Sequence, residues 1–380
     1  MKFLALDLGA SDTRYCSNDG EVYHLPNNMV FIPKDADIDL EPYTDNIEDA
    51  LDVTIFSNTE GPYFPVRALL GTLASRYTST TIKPSVMMNK HEQQINYVSA
   101  ITAAAVDSLK GKNIDGGIRL YLALPPIEVY TAKEKIKQNL IGRYKIIFNK
   151  LAKAIEIEIT DVSCYEESFM AILSYFFDTT GKLRENAKKF KVGNILSLDI
   201  GASTTDLIVV KDLKILERSG QTYKIGGNIA REYLKDDLRA LYGFDVPDEL
   251  ADAAMVEGRI QLGNQYEDIS QYVQTAKQKF AAQVVEQMQS YFRKINIPIQ
   301  SIRAIVVSGG GSMRSEYQDE DGGKVITSEP MSFYITKELS KICPGIEVEP
   351  HVVNPRLANI YGLFIRANID IKKRLREQEK

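Results

Sequence analysis

Apolar residues along this chain come in two rhythms, short unbroken runs that suit buried strands and longer stretches at the helical period. Lys2 to Leu8 is the first run, a strand with an aspartate near its C-terminal end. Alternating stretches follow around Tyr15 and from Glu21 to Leu25. Asn18-Asp19-Gly20 between them tolerates positive φ, so the pair predicts a hairpin. Pro33 to about Asp52 is acidic and loop-like, and Asn27 to Thr81 predicts a small irregular subdomain. From Asn89 to Lys110, residues Ile95, Val98, Ala103, Val106 and Leu109 share a helical face. IRLYLALP is a buried strand closed by Pro125 and Pro126, and Lys133 to Gly142 is a charged amphipathic helix. Tyr144 to Phe148 and Ile155 to Ile159 read as strands, and Glu166 to Phe177 as a helix apolar over much of its surface.

Gly181 to Lys191 is basic and polar and predicts the passage between two domains. Beyond it the scheme repeats. Ile195 to Ile200, Leu207 to Val210 and Ile215 to Ser219 are strands, and IGGNIAREYLKDDLRALYG is a glycine turn opening a long helix. Gln271 to Lys294 is the longest helical stretch, and Ile305 to Ser308 is a strand running into three glycines. Pro355 to Ala367 is a helix that the charged tail continues. Strand–strand–strand–helix units appearing twice predict an α/β chain of two related domains with ligand bound in a cleft between them. The expected first domain is 1–190 plus 355–380, with the final helix packed back on it and 27–81 as its small subdomain. The second is 191–354.

Composition adds boundaries. At 380 residues the chain suits two domains, and 44% hydrophobic content argues against disorder. A formal charge of −5 predicts no direct attraction to nucleic acid or to an anionic membrane. Cys16, Cys164 and Cys343 lack metal-ligand spacing and read as reduced thiols in the cytoplasm. Asp7 interrupts the apolar start, so it is not read as a signal peptide, and no apolar stretch approaches the roughly 20 residues of a membrane span.

The chemistry lies in a repeat. LALDLGASDTR carries Asp7, Gly9, Ser11, Thr13 and Arg14, and LSLDIGASTTD carries Asp199, Gly201, Ser203 and Thr204. Each is an apolar strand ending in Asp, then a glycine turn, then hydroxyl residues. Phosphate oxygens need backbone N–H donors, and glycine lets the backbone come close. Asp7 and Asp199 would repel phosphate directly, so they suit Mg²⁺ held through its water shell. Arg14 can offset phosphate charge. Gly309, Gly310 and Gly311 suit contact with adenosine or an α-phosphate. Gly226 and Gly227 open a helix whose N–H groups attract anions. One such turn alone would be an ordinary strand end.

Two Asp-Gly turns followed by a triple glycine resemble the signature of the actin, Hsp70 and sugar-kinase ATPase superfamily. That resemblance implies an actin-like fold and an ATP/ADP–Mg²⁺ site. It also points to Glu167 as the group that orients water on the γ-phosphate, since the family places a Glu or Gln there. Adjacent Glu166 is the alternative. Glu257 and Arg259, read as part of one helix, could reach a ribose or base. His24, His91 and His351 are scattered and are given no chemistry.

Four further segments resemble the bacterial ParM and Alp actin-like proteins. They are NKHEQQINYVSAITAAA, LYLALPPIEVYTAKEKIKQNLIGRYKIIF, FPVRALLGTLA and NPRLANIYGLF, the last with Ala358 and Gly362 allowing close helix packing. The likeness is weakest from Pro33 to Gly61, and Pro125-Pro126 departs from the family's usual single proline. It implies a bacterial ATPase that forms filaments with itself and segregates plasmid or phage DNA through a small DNA-binding adaptor. ATP versus GTP preference stays open. A small-molecule kinase of the same superfamily is the alternative, distinguished by phosphotransfer to a sugar.

Overall fold

The computed structural model describes all residues except 1, 34–35, 37–46, 59–62, 77–80, 86–87, 112–116, 186 and 379–380. Most of the acidic stretch from Pro33 to Asp52 therefore lies outside the described residues. The chain divides into two compact units, Met1–Met170 with Thr179–Gly181 and Asn359–Lys380, and Ala171–Asp178 with Lys182–Ala358.

Unit 1 contains β1 (Lys2–Leu8), β2 (Asp12–Cys16), β3 (Val22–Pro26), β4 (Met29–Phe31), β5 (Asp52–Ser57) and β6 (Val66–Leu70). Then come α1 (Gly71–Ala74), α2 (Gln94–Leu109), β7 (Ile118–Leu124), α3 (Pro126–Thr131), α4 (Lys133–Leu140), β8 (Gly142–Phe148) and β9 (Lys153–Glu166). The strands form one sheet in the order β3-β2-β1-β7-β9-β8-β5-β6-β4, parallel at β1, β7 and β9. β1 is buried at every position, as a strand covered on both faces must be. Continuing the chain, α5 (Glu167–Phe176) holds the first passage between units, at 170/171, and the chain crosses again at 178/179 and 181/182.

Unit 2 runs through β10 (Asn194–Ile200), β11 (Thr205–Lys211), β12 (Lys214–Ile215), β13 (Gln221–Tyr223), α6 (Gly227–Tyr242), α7 (Asp248–Glu257), β14 (Arg259–Leu262) and β15 (Gln265–Asp268). It continues through α8 (Ser270–Ile295), β16 (Ile302–Ser308), β17 (Ser315–Gln318), β18 (Lys324–Ser328), α9 (Met331–Ser340) and β19 (Glu347–Pro350). Its main sheet has the order β12-β11-β10-β16-β19, with β10, β16 and β19 parallel. An antiparallel hairpin followed by two parallel neighbours is thus built twice, as β2-β1-β7-β9 and as β11-β10-β16-β19. α8 is amphipathic and buries Val273, Phe280, Val284, Met288 and Phe292. Each such fully buried side chain is worth about 1.5–3 kcal/mol.

The last helix, α10 (Ala358–Gln378), belongs to unit 1 from Asn359 onward. Phe364 packs on Phe3, with ring centroids 5.8 Å apart, and Tyr165 donates to Asp370 at 2.8 Å. Gly362 lies so close to α5 that a Cβ there would stand 1.9 Å from the Met170 carbonyl oxygen.

Three expectations are corrected. The strand expected at Ile215–Ser219 pairs only at Lys214–Ile215, since Arg218 adopts φ 58° and breaks it. The strand expected at Ile155–Ile159 extends to Glu166, because the more polar stretch after it pairs with β7. The helix therefore starts at Glu167, one residue later than read.

Gly362→Ala forces backbone apart at this contact, and a cost of about 1–3 kcal/mol is expected for such overpacking. Urea unfolding followed by circular dichroism should show a clearly lowered midpoint, and an unchanged midpoint would contradict the close helix approach.

Candidate functional site

The two Asp-Gly turns are folded alike. In unit 1, Leu8 pairs Thr13 and Asp7 pairs Arg14; in unit 2, Ile200 pairs Thr205 and Asp199 pairs Asp206. Each turn is closed by the same bond. The Gly9 N–H donates to the Asp12 carbonyl at 3.1 Å, and the Gly201 N–H to the Thr204 carbonyl at 2.8 Å. A Cβ on Gly9 would stand 2.7 Å from the Asp12 carbonyl oxygen, so this turn has no room for a side chain. Asp7 and Asp199 are both buried next to a parallel strand, opposite Ala123 and Ser308.

Their surroundings differ. Arg14 reaches Asp7 at 3.0 Å and Asp12 at 2.5 Å, so each carboxylate takes one amino group. Burial opposes the guanidinium charge, and the two aspartates outweigh it and raise its pKa. Thr13 is buried, and its hydroxyl has no partner among the described residues; Ser11 is exposed. Asn27 braces the turn, donating to the Gly9 carbonyl at 2.8 Å and accepting from Ser99 at 3.0 Å. In unit 2 the position of Arg14 is taken by Asp206, and Asp199 accepts from Ser308 at 3.2 Å.

Three glycine segments of unit 2 interlock. The Gly227 N–H donates to the Gly201 carbonyl at 2.9 Å, and the Asn228 N–H to the Ala202 carbonyl at 2.7 Å. A Cβ on Gly226 would stand 2.6 Å from Ala202 and Ser203 backbone, and one on Gly311 2.7 Å from Ile200. Gly309, at φ 88°, would collide with the Ile200 carbonyl and the Asp199 carboxylate. Gly310 lies beside Arg356. Asn228 reaches the Ser203 hydroxyl at 3.3 Å, and Thr204 completes the turn. The structure thus gathers Gly201, Ser203, Thr204, Gly226, Gly227, Gly309 and Gly311 in one place at the end of β10.

The fold recurs in solved structures. The actin-like protein Alp7A matches with a TM-score of 0.74 at 20% identity, covering 99% of this chain and 98% of that one. A 15-stranded ParM filament from Clostridium botulinum matches at 0.66 and 19% identity, over 97% and 99%. Bacillus thuringiensis ParM with ATP matches at 0.65 and 17% identity, over 98% and 99%. The chain has the actin-like fold.

A family model described as the C-terminal part of MreB-like archaeal actin homologues matches residues 197–317, from the Asp199 turn through the triple glycine. No curated protein matches the sequence. Among the described residues no helix of the actin-like chain is long and apolar enough to cross a membrane.

Glu166 and Glu167 part company. Glu166 ends β9 and meets the Tyr130 hydroxyl, and burial pushes its carboxyl pKa up. Glu167 opens α5 and is ion-paired with Lys90. Burial works against the Lys90 ammonium, but Glu167, Asp7 and Glu128 outweigh it and push its pKa up to about 12. Lys90 thus lies in the field of both Asp7 and Glu167. Arg259 is corrected: it starts β14, beyond the helix that ends at Glu257, because Gly258 at φ 73° stops α7. Its guanidinium lies 4.1 Å from the Tyr266 ring centroid and 3.9 Å from that of Tyr317, with Nε on Glu257 at 2.8 Å. The histidines also have partners: His24 meets Asp12, His91 meets Glu128, and buried His351 meets the Ala171 carbonyl at 2.8 Å.

Sequence reasoning missed Lys277. It is buried on α8 and donates to the Met313 and Glu329 carbonyls and to the Ser315 hydroxyl, just past the triple glycine. Burial lowers its pKa from 10.5 to about 7. From about pH 7 to 10.5 the unfolded chain then holds more protons than the folded one, so this residue makes stability rise with pH in that window. Urea midpoints of wild type and Lys277→Met at pH 7 and 9 should show that rise weakened in the variant. Equal slopes would mean that Lys277 keeps its ordinary proton affinity.

Proposed function

We propose that this chain is an ATP hydrolase of the ParM and Alp type, with the Asp7 turn and the Asp199 turn binding the phosphates of one Mg²⁺–nucleotide. In this reading 1–170 with the final helix forms one functional domain and the second unit the other. The observation that carries the proposal is the doubled hairpin, with the same register, the same closing bond and an aspartate at the same position. The glycine cluster of unit 2 adds a backbone surface bare of side chains, suited to a base or an α-phosphate.

The residues fit Mg²⁺. Among the described residues no three or more His, Cys, Asp or Glu side chains gather as a metal-binding group. A hard cation that keeps several waters and uses substrate phosphates needs only one or two carboxylates, here Asp7 and Asp199. When bound, Mg²⁺ would neutralise charge building on the phosphates. Glu167 would orient the attacking water. Arg14, Ser11, Thr13, Ser203 and Thr204 would hold phosphate oxygens.

The same reading extends to assembly. One relative of this fold is a ParM filament and another was solved with ATP. The chain would form filaments with itself in the bacterial cytoplasm and move plasmid or phage DNA through a small DNA-binding adaptor. A nucleotide held by both turns stiffens the monomer, so less entropy is lost on joining a filament. Hydrolysis would then loosen the lattice.

Calorimetry should show Mg²⁺–ATP affinity reduced roughly 10–100-fold in Asp7→Ala and in Asp199→Ala. Unchanged affinity in both would remove the site. Glu167→Ala should slow phosphate release on the order of 100-fold with binding largely intact. Light scattering and pelleting with ATP, GTP, ADP and a non-hydrolysable analogue should reveal assembly that the triphosphate favours. A chain that stays monomeric in all four and phosphorylates a sugar would be a kinase instead.

A further inference from the structure

Lys90 stands on the segment before α2, and its backbone is fixed on both sides. The Lys90 and His91 N–H groups donate to the two carboxylate oxygens of buried Glu128, at 2.8 and 2.9 Å. The Lys90 carbonyl accepts from Asn96 at 2.8 Å, and the His91 carbonyl from Tyr97 at 2.8 Å. Asn89 and Glu92 close a capping box around the same turn. The ammonium therefore starts from a fixed origin and reaches Glu167 at the head of α5. Glu167 is buried, and such a carboxylate is costly without a counter-charge.

The position of the pair matters. β1, β7 and β9 run parallel, so the Asp7 turn and the start of α5 both lie at the C-terminal ends of these strands. Arg14 already serves Asp7 and Asp12, whereas Lys90 serves Glu167 and only adds to the field at Asp7.

We propose that Lys90 is a positioning residue for hydrolysis, holding the Glu167 carboxylate in the orientation that aligns water, with Glu128 as the anchor that fixes Lys90. The proposal rests on the hydrolase reading above. Lys90 acts through Glu167 and need not touch nucleotide. Its loss should lower the rate of the chemical step and leave nucleotide binding nearly unchanged.

The test is a double-mutant cycle read by single-turnover phosphate release and by calorimetry with Mg²⁺–ATP. Lys90→Met should slow release at least tenfold with affinity within about threefold, and Lys90→Arg should restore most of the rate. In a Glu167→Gln background, where no carboxylate is stranded, adding Lys90→Met should change release by less than about twofold. This comparison stands even if the single Lys90→Met variant folds poorly. Equal slowing by Lys90→Met in both backgrounds would overturn the proposal, as would no slowing in wild type while Glu167→Gln is slow. If Glu167→Ala itself releases phosphate at the wild-type rate, the hydrolase role of Glu167 fails and the proposal falls with it.

Discussion

A buried carboxylate near the end of a strand is the constraint from which the rest of this structure follows. Asp7 and Asp199 each occupy such a place, and a charge there is tolerated only with hydrogen bonds or counter-charge around it. The fold answers in two ways. In the first unit the partner strand supplies Arg14 directly opposite. In the second the opposite residue is Asp206, and help comes from Ser308 on the parallel neighbour. One architecture thus carries two electrostatic solutions, a cationic turn and an acidic one.

The turns impose a second demand. A chain reversal closed by a single glycine N–H bond leaves its backbone near the strand end, and anything packed on it must be bare. That explains why Gly226, Gly309 and Gly311 converge on the Asp199 turn, where added Cβ atoms would stand 2.3–2.7 Å from neighbouring atoms. The glycines shape the edge of unit 2 first, and any use of their N–H groups follows from that shape.

Much of this was legible in the sequence because it is local. The repeated Asp-Gly segments, the glycine before α6 and the long period of α8 are patterns within some 25 residues. Gly362 was legible as a close-packing position, and the structure sets it against Met170. What stayed hidden depends on residues distant in sequence. Lys90 finds Glu167 77 positions away, and Lys277 finds Ser315 38 positions away. Neither lysine differs locally from a solvated one. Arg259 misled for a related reason: Gly258 ends the helix before it, and the tyrosines that cover it come from two other strands.

The proposed function requires both turns to hold the same nucleotide. Hydrogen–deuterium exchange, titrated with Mg²⁺ and ATP, tests it directly. Amides in 9–13 and in 201–205 should both gain protection, with the same midpoint in nucleotide concentration. Protection of one turn alone, or midpoints that differ tenfold, would contradict a single shared ligand.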